Sequence, residues 1–117
     1  MKGNKGTRKI AELEKLDGVE KPAGVFLTTL SFNQQSMLCH FKLTRGSSVP
    51  LHNHEAVQHG YVLRGRLRFL LNDGKSFVAT AGMSYAFDSW EHHGAEAMED
   101  SEVLDFFTPM RPEYVDN

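Results

Sequence analysis

With 117 residues, 40% of them hydrophobic, the chain holds enough apolar material for one compact core and too little for two ordinary domains. Thirteen Lys and Arg against fifteen Asp and Glu give a formal charge of −2, a balance that argues against nucleic acid as a partner. No apolar run approaches the roughly 18 to 20 residues of a membrane span, no apolar stretch follows the basic N-terminus, and the single cysteine has no internal disulfide partner, so the expectation is a soluble, unexported protein of the reducing cytoplasm.

Residues 1–9, with Lys2, Lys5, Arg8 and Lys9, lack an apolar period and read as a loosely ordered tail. "IAELEKL", 10–16, suits one or two amphipathic turns, which Gly18 and "KPAG" at 21–24 then stop. Residues 1–24 are therefore a tail and lead-in. From 25 to 112 the pattern is a train of short β-type runs: "VFLTTLS", "SMLCHFKL", "VQHGYVL", "RLRFLL", "SFVAT", "SYAF" and "EVLDFFT". Turn-formers separate them at spacings expected of an antiparallel sandwich or barrel. "LLNDGKSF" carries the sharpest turn signal, Asp73-Gly74 between two alternating runs, which is favoured hairpin chemistry. The fold class is all-β, one domain over 25–112, with 113–117 as a C-terminal tail. Cys39 sits in "SMLCHF" as a small buried hydrophobe, and its neighbour His40 alternates with the core positions Cys39 and Phe41, which makes it a surface histidine.

"PLHNHEAVQHGYVLRG", 50–65, raises the question of chemistry. On an extended strand His52 and His54 share a face and can aim at one point, while Asn53 points away. Such a pair alone is weak, but its context is not. Gly46 lies six residues before His52, Gln58 four after His54 and Gly65 seven after Gln58, and a later run supplies Gly82 and, eleven residues on, His93.

These residues resemble the two motifs of the cupin superfamily, G-x5-H-x-H-x3,4-E-x6-G and G-x5-P-x-G-x2-H-x3-N. The first matches Gly46, His52, His54 and Gly65, with Gln58 where the family usually carries Glu; in the second, Gly82 and His93 match, while Asp88, Trp90 and Ala97 replace the proline, glycine and asparagine. The resemblance implies a double-stranded β-helix, a small jelly-roll barrel, with a mononuclear metal bound by His52, His54, Gln58 and His93. Imidazole-rich donors suit a divalent transition metal such as Mn, Fe, Ni or Zn, and four ligands leave positions open for water or substrate. With Gln58 inward, its neighbour His59 faces outward. Glu55, directly after His54, points to the opposite face, and His92 is set aside beside His93 in the same way. Four neutral ligands leave such a site near +2, which favours a small anionic substrate. Gly60, two after Gln58 on the same face, leaves volume in which substrate can sit.

In "EVLDFFTPMRPEY", parity groups Val103, Asp105 and Phe107 on one face and Glu102, Leu104 and Phe106 on the other. An aspartate inside so apolar a strand is either a surface residue of an edge strand or a carboxylate inside the barrel, where burial and a cation tune it for proton transfer. Arg111, just past the strand, either grips a substrate carboxylate or is solvated. The pattern H-x-H-x3-Q-x2-YVL-x-G together with "EDSEVLDFFTPMR" resembles, more narrowly, the small cupins of pectin and alginate breakdown that convert 4,5-unsaturated uronates to open-chain keto form. That resemblance implies active-site roles for Asp105, Phe107 and Arg111. The leading expectation is a metal-dependent lyase or isomerase-type enzyme on a small carboxylated, sugar-like substrate, with Asp105 shuttling a proton, Arg111 holding the carboxylate and Trp90 or Phe107 packing on the ring. Two alternatives stand beside it: an iron-dependent cupin dioxygenase, and a non-catalytic module that binds a small ligand. Apolar outward positions such as Leu38, Leu104 and Phe106 further suggest a two-fold homodimer.

Overall fold

Strand parity and short turns dictate the architecture that the computed structural model displays for residues 6–115. Ten strands run in chain order: β1 (Val19–Glu20), β2 (Val25–Phe32), β3 (Met37–Leu43), β4 (Ser48–His52), β5 (Val57–Arg64), β6 (Arg66–Leu71), β7 (Ser76–Thr80), β8 (Ser84–Phe87), β9 (His93–Ala97) and β10 (Ser101–Thr108). They form two sheets, in the orders β1-β2-β3-β10-β5-β8 and β4-β9-β6-β7. Every pairing is antiparallel. The fold is the all-β jelly-roll barrel expected from the sequence.

All seven β-type runs are strands, and three more appear that their composition hides. β4 contains Pro50, which a strand tolerates at the edge of a sheet, and β4 is an edge strand. β9, "HGAEA", has weak β-formers and is a strand because β4 and β6 pair with it on both sides. β1 is only two residues, clipped onto β2 through Val19 opposite Leu27 and Glu20 opposite Phe26. The Asp73-Gly74 turn joins β6 to β7 as expected, with Gly74 at φ 82° and the Asp73 carboxylate accepting the Lys75 backbone N–H at 3.1 Å.

The inward halves of the strands build the core in two apolar clusters. One gathers Val25, Leu43, Val62, Leu67, Phe69, Phe87 and Val103; the other Leu27, Phe32, Met37, Cys39 and Phe107. Phe41 packs against both. Cys39 is fully buried, as its apolar run implied, and burial pushes its thiol up to about 12. On the outer face of the six-stranded sheet, Phe26, Tyr61, Leu63 and Phe106 remain exposed.

Three local expectations change. Residues 10–16 make a single 3-10 turn, Leu13–Lys15, that buries nothing, since so short a segment has no packing partner to offset helix nucleation. Residues 1–5 of the basic tail lie outside the described part, but Arg8 is tied down: it exchanges backbone hydrogen bonds with Phe32 at 2.7 and 2.9 Å, and its guanidinium donates to Thr29 O at 2.8 Å. His40 is not a surface residue. It is buried and donates from Nε2 to Glu102 Oε1 at 2.8 Å. The other oxygen of Glu102 accepts from Arg64, and these two partners, Arg64 foremost, hold the Glu102 carboxyl below its ordinary range. Parity separates His40 from the core positions beside it, but it does not reveal that Glu102 stands within reach on the neighbouring strand. At the other end of the chain, Pro112–Tyr114 form a 3-10 turn and Val115 is buried, while residues 116–117 lie outside the described part.

Candidate metal centre

The site forms where the two sheets bring β4, β5, β9 and β10 together. β4 and β9 pair with His52 directly opposite His93. His54 lies just past the end of β4, and its loop is docked by the Trp90 backbone N–H, which donates to His54 O at 2.7 Å. One ring nitrogen from each of His52, His54 and His93 lies within 4.8 Å of the others. Their rings are 4.5 to 5.4 Å apart between centroids. His93 stacks on Phe87 at 4.2 Å, and Phe107 meets His54 edge-on at 5.7 Å.

What settles the donor set is where the protons go. Each Nδ1 faces a backbone carbonyl: Pro50 O for His52 at 2.9 Å, Ala56 O for His54 at 2.8 Å and Glu91 O for His93 at 2.8 Å. A carbonyl only accepts, so Nδ1 carries the proton and each Nε2 turns a lone pair toward the common centre. Gln58 Oε1 sits 3.2 Å from His54 Nε2 and 3.1 Å from His93 Nε2. Four acceptors thus converge with no proton between them, an arrangement that a cation would satisfy. Burial lowers the pKa of His54, and that of His93 to about 4, which keeps both imidazoles neutral and ligand-ready at neutral pH. The residues present fit a transition metal.

Behind this cluster stands a second layer on the same inner wall. Across the β5–β10 pairing, Gln58 opposes Phe107 and Gly60 opposes Asp105, so all four face inward. Asp105 is buried, not a surface residue of an edge strand. Tyr85 O–H donates to its Oδ1 at 2.7 Å, and Gln58 is the next donor that pulls on it. Burial raises the Asp105 carboxyl to about 6, against the downward pull of those two donors and of Arg111. Sequence reasoning does not find Tyr85. It fills the space that Gly60 is expected to leave for substrate: a Cβ on Gly60 would overlap the Tyr85 ring, so the glycine exists for the tyrosine. A glycine opposite an aromatic on the neighbouring strand is the signal, and the register Gly60 to Tyr85 is visible only in the folded sheet.

Arg111 borders the interior cavity, but its guanidinium is already engaged. Nε and Nη2 donate to Glu113 Oε2 at 3.2 and 3.0 Å, and Nη1 donates to the Tyr114 hydroxyl at 2.9 Å. Its plane packs over the rings of Tyr114 and Phe107, 4.2 and 5.1 Å from their centroids. Trp90 is not brought into the cavity. It takes a left-handed φ of 65°, held by His54 O and by Asn53 Nδ2, which donates to Trp90 O at 3.2 Å, and it is 60% exposed, in an outer groove with Pro109, Met110 and Arg111. As parity required, Glu55, His59 and His92 are exposed.

The interior cavity, about 70 Å³, has His52, Gln58, His93, Asp105 and Arg111 at one side and Leu43, Leu67, Phe69 and Val103 at the other. A larger cleft of about 460 Å³, which shares Phe41, Val49, His52 and Tyr114 with it, is bounded by β1 and the Lys21-Pro22 segment. His52 therefore stands where the interior cavity and the larger cleft meet.

Comparison with known structures agrees with this fold. A cupin from Shewanella frigidimarina NCIMB 400, described as RmlC-like, superimposes with a TM-score of 0.87 at 24% identity, covering 93% of this chain and 98% of that one. KdgF from a Halomonas species gives a TM-score of 0.83 at 28% identity, with 92% and 98% covered. The polyketide cyclase RemF from Streptomyces resistomycificus gives 0.78 at 20% identity, with 90% and 82% covered. No curated protein matches the sequence. Among domain families, the model described as the cupin domain matches residues 39–107, from β3 to the inward-facing end of β10, and the chain belongs to that family.

Proposed function

We propose that the protein is a metal-dependent enzyme that opens the ring of a small 4,5-unsaturated uronate by relocating one proton. The observation that carries this reading is Asp105, a carboxylate buried in the wall of the cavity, held by the Tyr85 hydroxyl and bordering the same space as Gln58 and Arg111. Enzymes named among the similar structures, a polyketide cyclase and an ectoine synthase, are in keeping with a catalytic barrel, and the tail "DFFTPMR" with the H-x-H-x3-Q pattern supplies the likeness to the uronate-linearising cupins.

A divalent transition ion held by His52, His54, His93 and Gln58 would supply a Lewis acid for substrate oxygens. The chain does the rest. Arg111 has five N–H donors and spends three on Glu113 and Tyr114, which leaves two for a substrate carboxylate, on a guanidinium locked in place by its own pairing. Phe107 and Phe41 offer flat walls to the ring. Asp105 takes the proton of the anomeric hydroxyl, so that the C1 carbonyl forms as the bond from C1 to the ring oxygen breaks. The released electron pair leaves an enolate over C4, C5 and that oxygen. Asp105 then returns the proton to C4 and the C5 ketone forms, an isomerisation that consumes neither oxidant nor water.

The test follows the conjugated double bond. Mixing monomeric unsaturated galacturonate with the protein and a divalent metal should remove its ultraviolet absorbance without oxygen uptake. Unchanged absorbance across Mn, Fe, Ni and Zn would retire the uronate reading, and oxygen uptake with Fe(II) would replace it with the dioxygenase.

A further inference from the structure

The inward positions of β2 run Val25, Leu27 and Thr29, and the third breaks an otherwise apolar series with a hydroxyl. Thr29 is fully buried opposite Cys39 of β3, where valine would fill nearly the same volume without a polar atom. Its hydroxyl reaches across to the other end of the chain: Oγ1 donates to Tyr114 O at 2.6 Å. We propose that Thr29 is a positioning residue, whose hydroxyl, through the Tyr114 carbonyl, holds the Arg111 guanidinium at the wall of the interior cavity. The inference rests on the reading of Arg111 as the group that holds the substrate carboxylate.

The link runs through one residue. Tyr114 ends the 3-10 turn Pro112–Tyr114 that follows Arg111, and it meets Arg111 twice: its hydroxyl accepts from Nη1 at 2.9 Å, and its ring lies under the guanidinium, 4.2 Å from centroid to Cζ. A shift of the turn therefore carries the guanidinium with it. The same ring stands edge-on to Phe41 and Phe107, with centroids 6.4 and 5.7 Å away. Such apolar contacts favour burial of the ring but are non-directional, whereas a hydrogen bond fixes a direction. So short a turn, closed by Tyr114 N–H to Arg111 O at 3.0 Å and Val115 N–H to Pro112 O at 3.2 Å, has little stability of its own. The β2–β3 hairpin docks it at both ends. Met37 Sδ accepts the Arg111 N–H at 3.4 Å, and Thr29 donates to Tyr114 O. Sulfur is a weak acceptor, so the Thr29 bond is the stronger of the two. The hydroxyl has one hydrogen and Tyr114 O takes it, so in the 3.8 Å contact between Oγ1 and Cys39 Sγ the thiol is the donor and does not compete. Thr29 is itself pinned from behind, where Arg8 Nη1 donates to its carbonyl at 2.8 Å. Because Tyr114 borders both the interior cavity and the larger cleft, the turn that Thr29 anchors is also a wall of both.

The experiment compares the full-length wild type with Thr29→Val, Thr29→Ser and Tyr114→Phe by two readouts. Nuclear magnetic resonance on nitrogen-15-labelled protein follows hydrogen exchange at the Tyr114 and Val115 amides and at the Arg111 Nε–H, which Glu113 shields. Steady-state kinetics on monomeric unsaturated galacturonate at saturating metal separates KM from kcat. Thr29→Val should speed exchange at all three groups by about 10-fold and raise KM by about 3- to 10-fold, the effect of one hydrogen bond, while kcat stays within about two-fold. Thr29→Ser keeps the hydroxyl and should match the wild type in both readouts. Tyr114→Phe cuts the last link and should also raise KM. Thr29→Val/Tyr114→Phe should go no further than the larger of the two singles, because the two groups act in series. Wild-type exchange of the Arg111 Nε–H in folded Thr29→Val overturns the inference. Faster exchange with an unchanged KM overturns it as well, since Thr29 would then anchor the turn without positioning Arg111 for substrate. If Thr29→Val does not fold, Thr29→Ala and Thr29→Ser, which differ by the hydroxyl alone, are compared in its place with the same outcomes. If the wild type does not turn over the uronate, that reading falls, and exchange of the Arg111 Nε–H alone decides on Thr29.

Discussion

Asp105→Asn should reduce turnover of monomeric unsaturated galacturonate by roughly 10²- to 10⁴-fold even at saturating metal, because an amide keeps the shape of the side chain but neither accepts nor returns a proton at neutral pH. Saturating metal matters, since Asp105 borders the same cavity as Gln58, His52 and His93, so occupancy has to be held equal before rates are compared. Raising the metal concentration restores occupancy and leaves chemistry as the remaining difference. kcat should fall while KM changes little, for Asp105 is asked to act on the reacting atoms and Arg111 to bind the acid. Turnover by Asp105→Asn within a few-fold of wild type would remove Asp105 from the chemistry.

Gly65→Ala should be strongly destabilising, by about 2 to 5 kcal/mol. Gly65 makes the turn between β5 and β6 at φ 94°, where a Cβ costs about 1 to 2 kcal/mol. That Cβ would also overlap Ser101 Oγ and lie 2.5 Å from Asp100 O and 2.6 Å from Ser101 Cα. Ser101 has no room to retreat, being fully buried and bonded through Oγ to Arg66 N–H at 3.0 Å and Glu99 O at 2.8 Å. Overpacking of this kind adds about 1 to 3 kcal/mol. Gly46 provides the control, for it has φ 87° but nothing within 4 Å of its Cβ. Urea unfolding should therefore show Gly65→Ala losing about twice what Gly46→Ala loses, or more. Equal losses would mean that left-handed strain, not the contact with Ser101, makes Gly65 necessary.

The period of two in a strand made much of this site readable before folding. Once the resemblance set Gln58 inward, that period put His59 out, and it grouped Asp105 and Phe107 on the face opposite Phe106, leaving to the folded chain which of those faces is the inner one. What parity does not carry is register between distant strands. Tyr85 meets Gly60 and Asp105 only because β8 and β10 flank β5, so an apparently empty glycine position became the seat of an aromatic ring. Trp90 was hard to place for a different reason: its backbone is left-handed and clamped by two hydrogen bonds, with the side chain in an outer groove, and no side-chain periodicity extends through such a turn. Arg111 was legible as a cation near the site, but its pairing with Glu113 is a matter of one 3-10 turn, Pro112–Tyr114, closing back on it. β9 was hidden because small, weakly β-forming residues become a strand only when two neighbours pair with them.

That His52, His54, His93 and Gln58 hold one transition metal is tested most directly by metal analysis of protein purified without a histidine tag. The wild type, dialysed against metal-free buffer, should retain about one transition-metal ion per chain, and His54→Ala and His93→Ala should each retain almost none while keeping the β-sheet signal in far-UV circular dichroism. A wild type without bound metal that also fails to take up Mn, Fe, Ni or Zn, or a metal content that survives both substitutions, would contradict it.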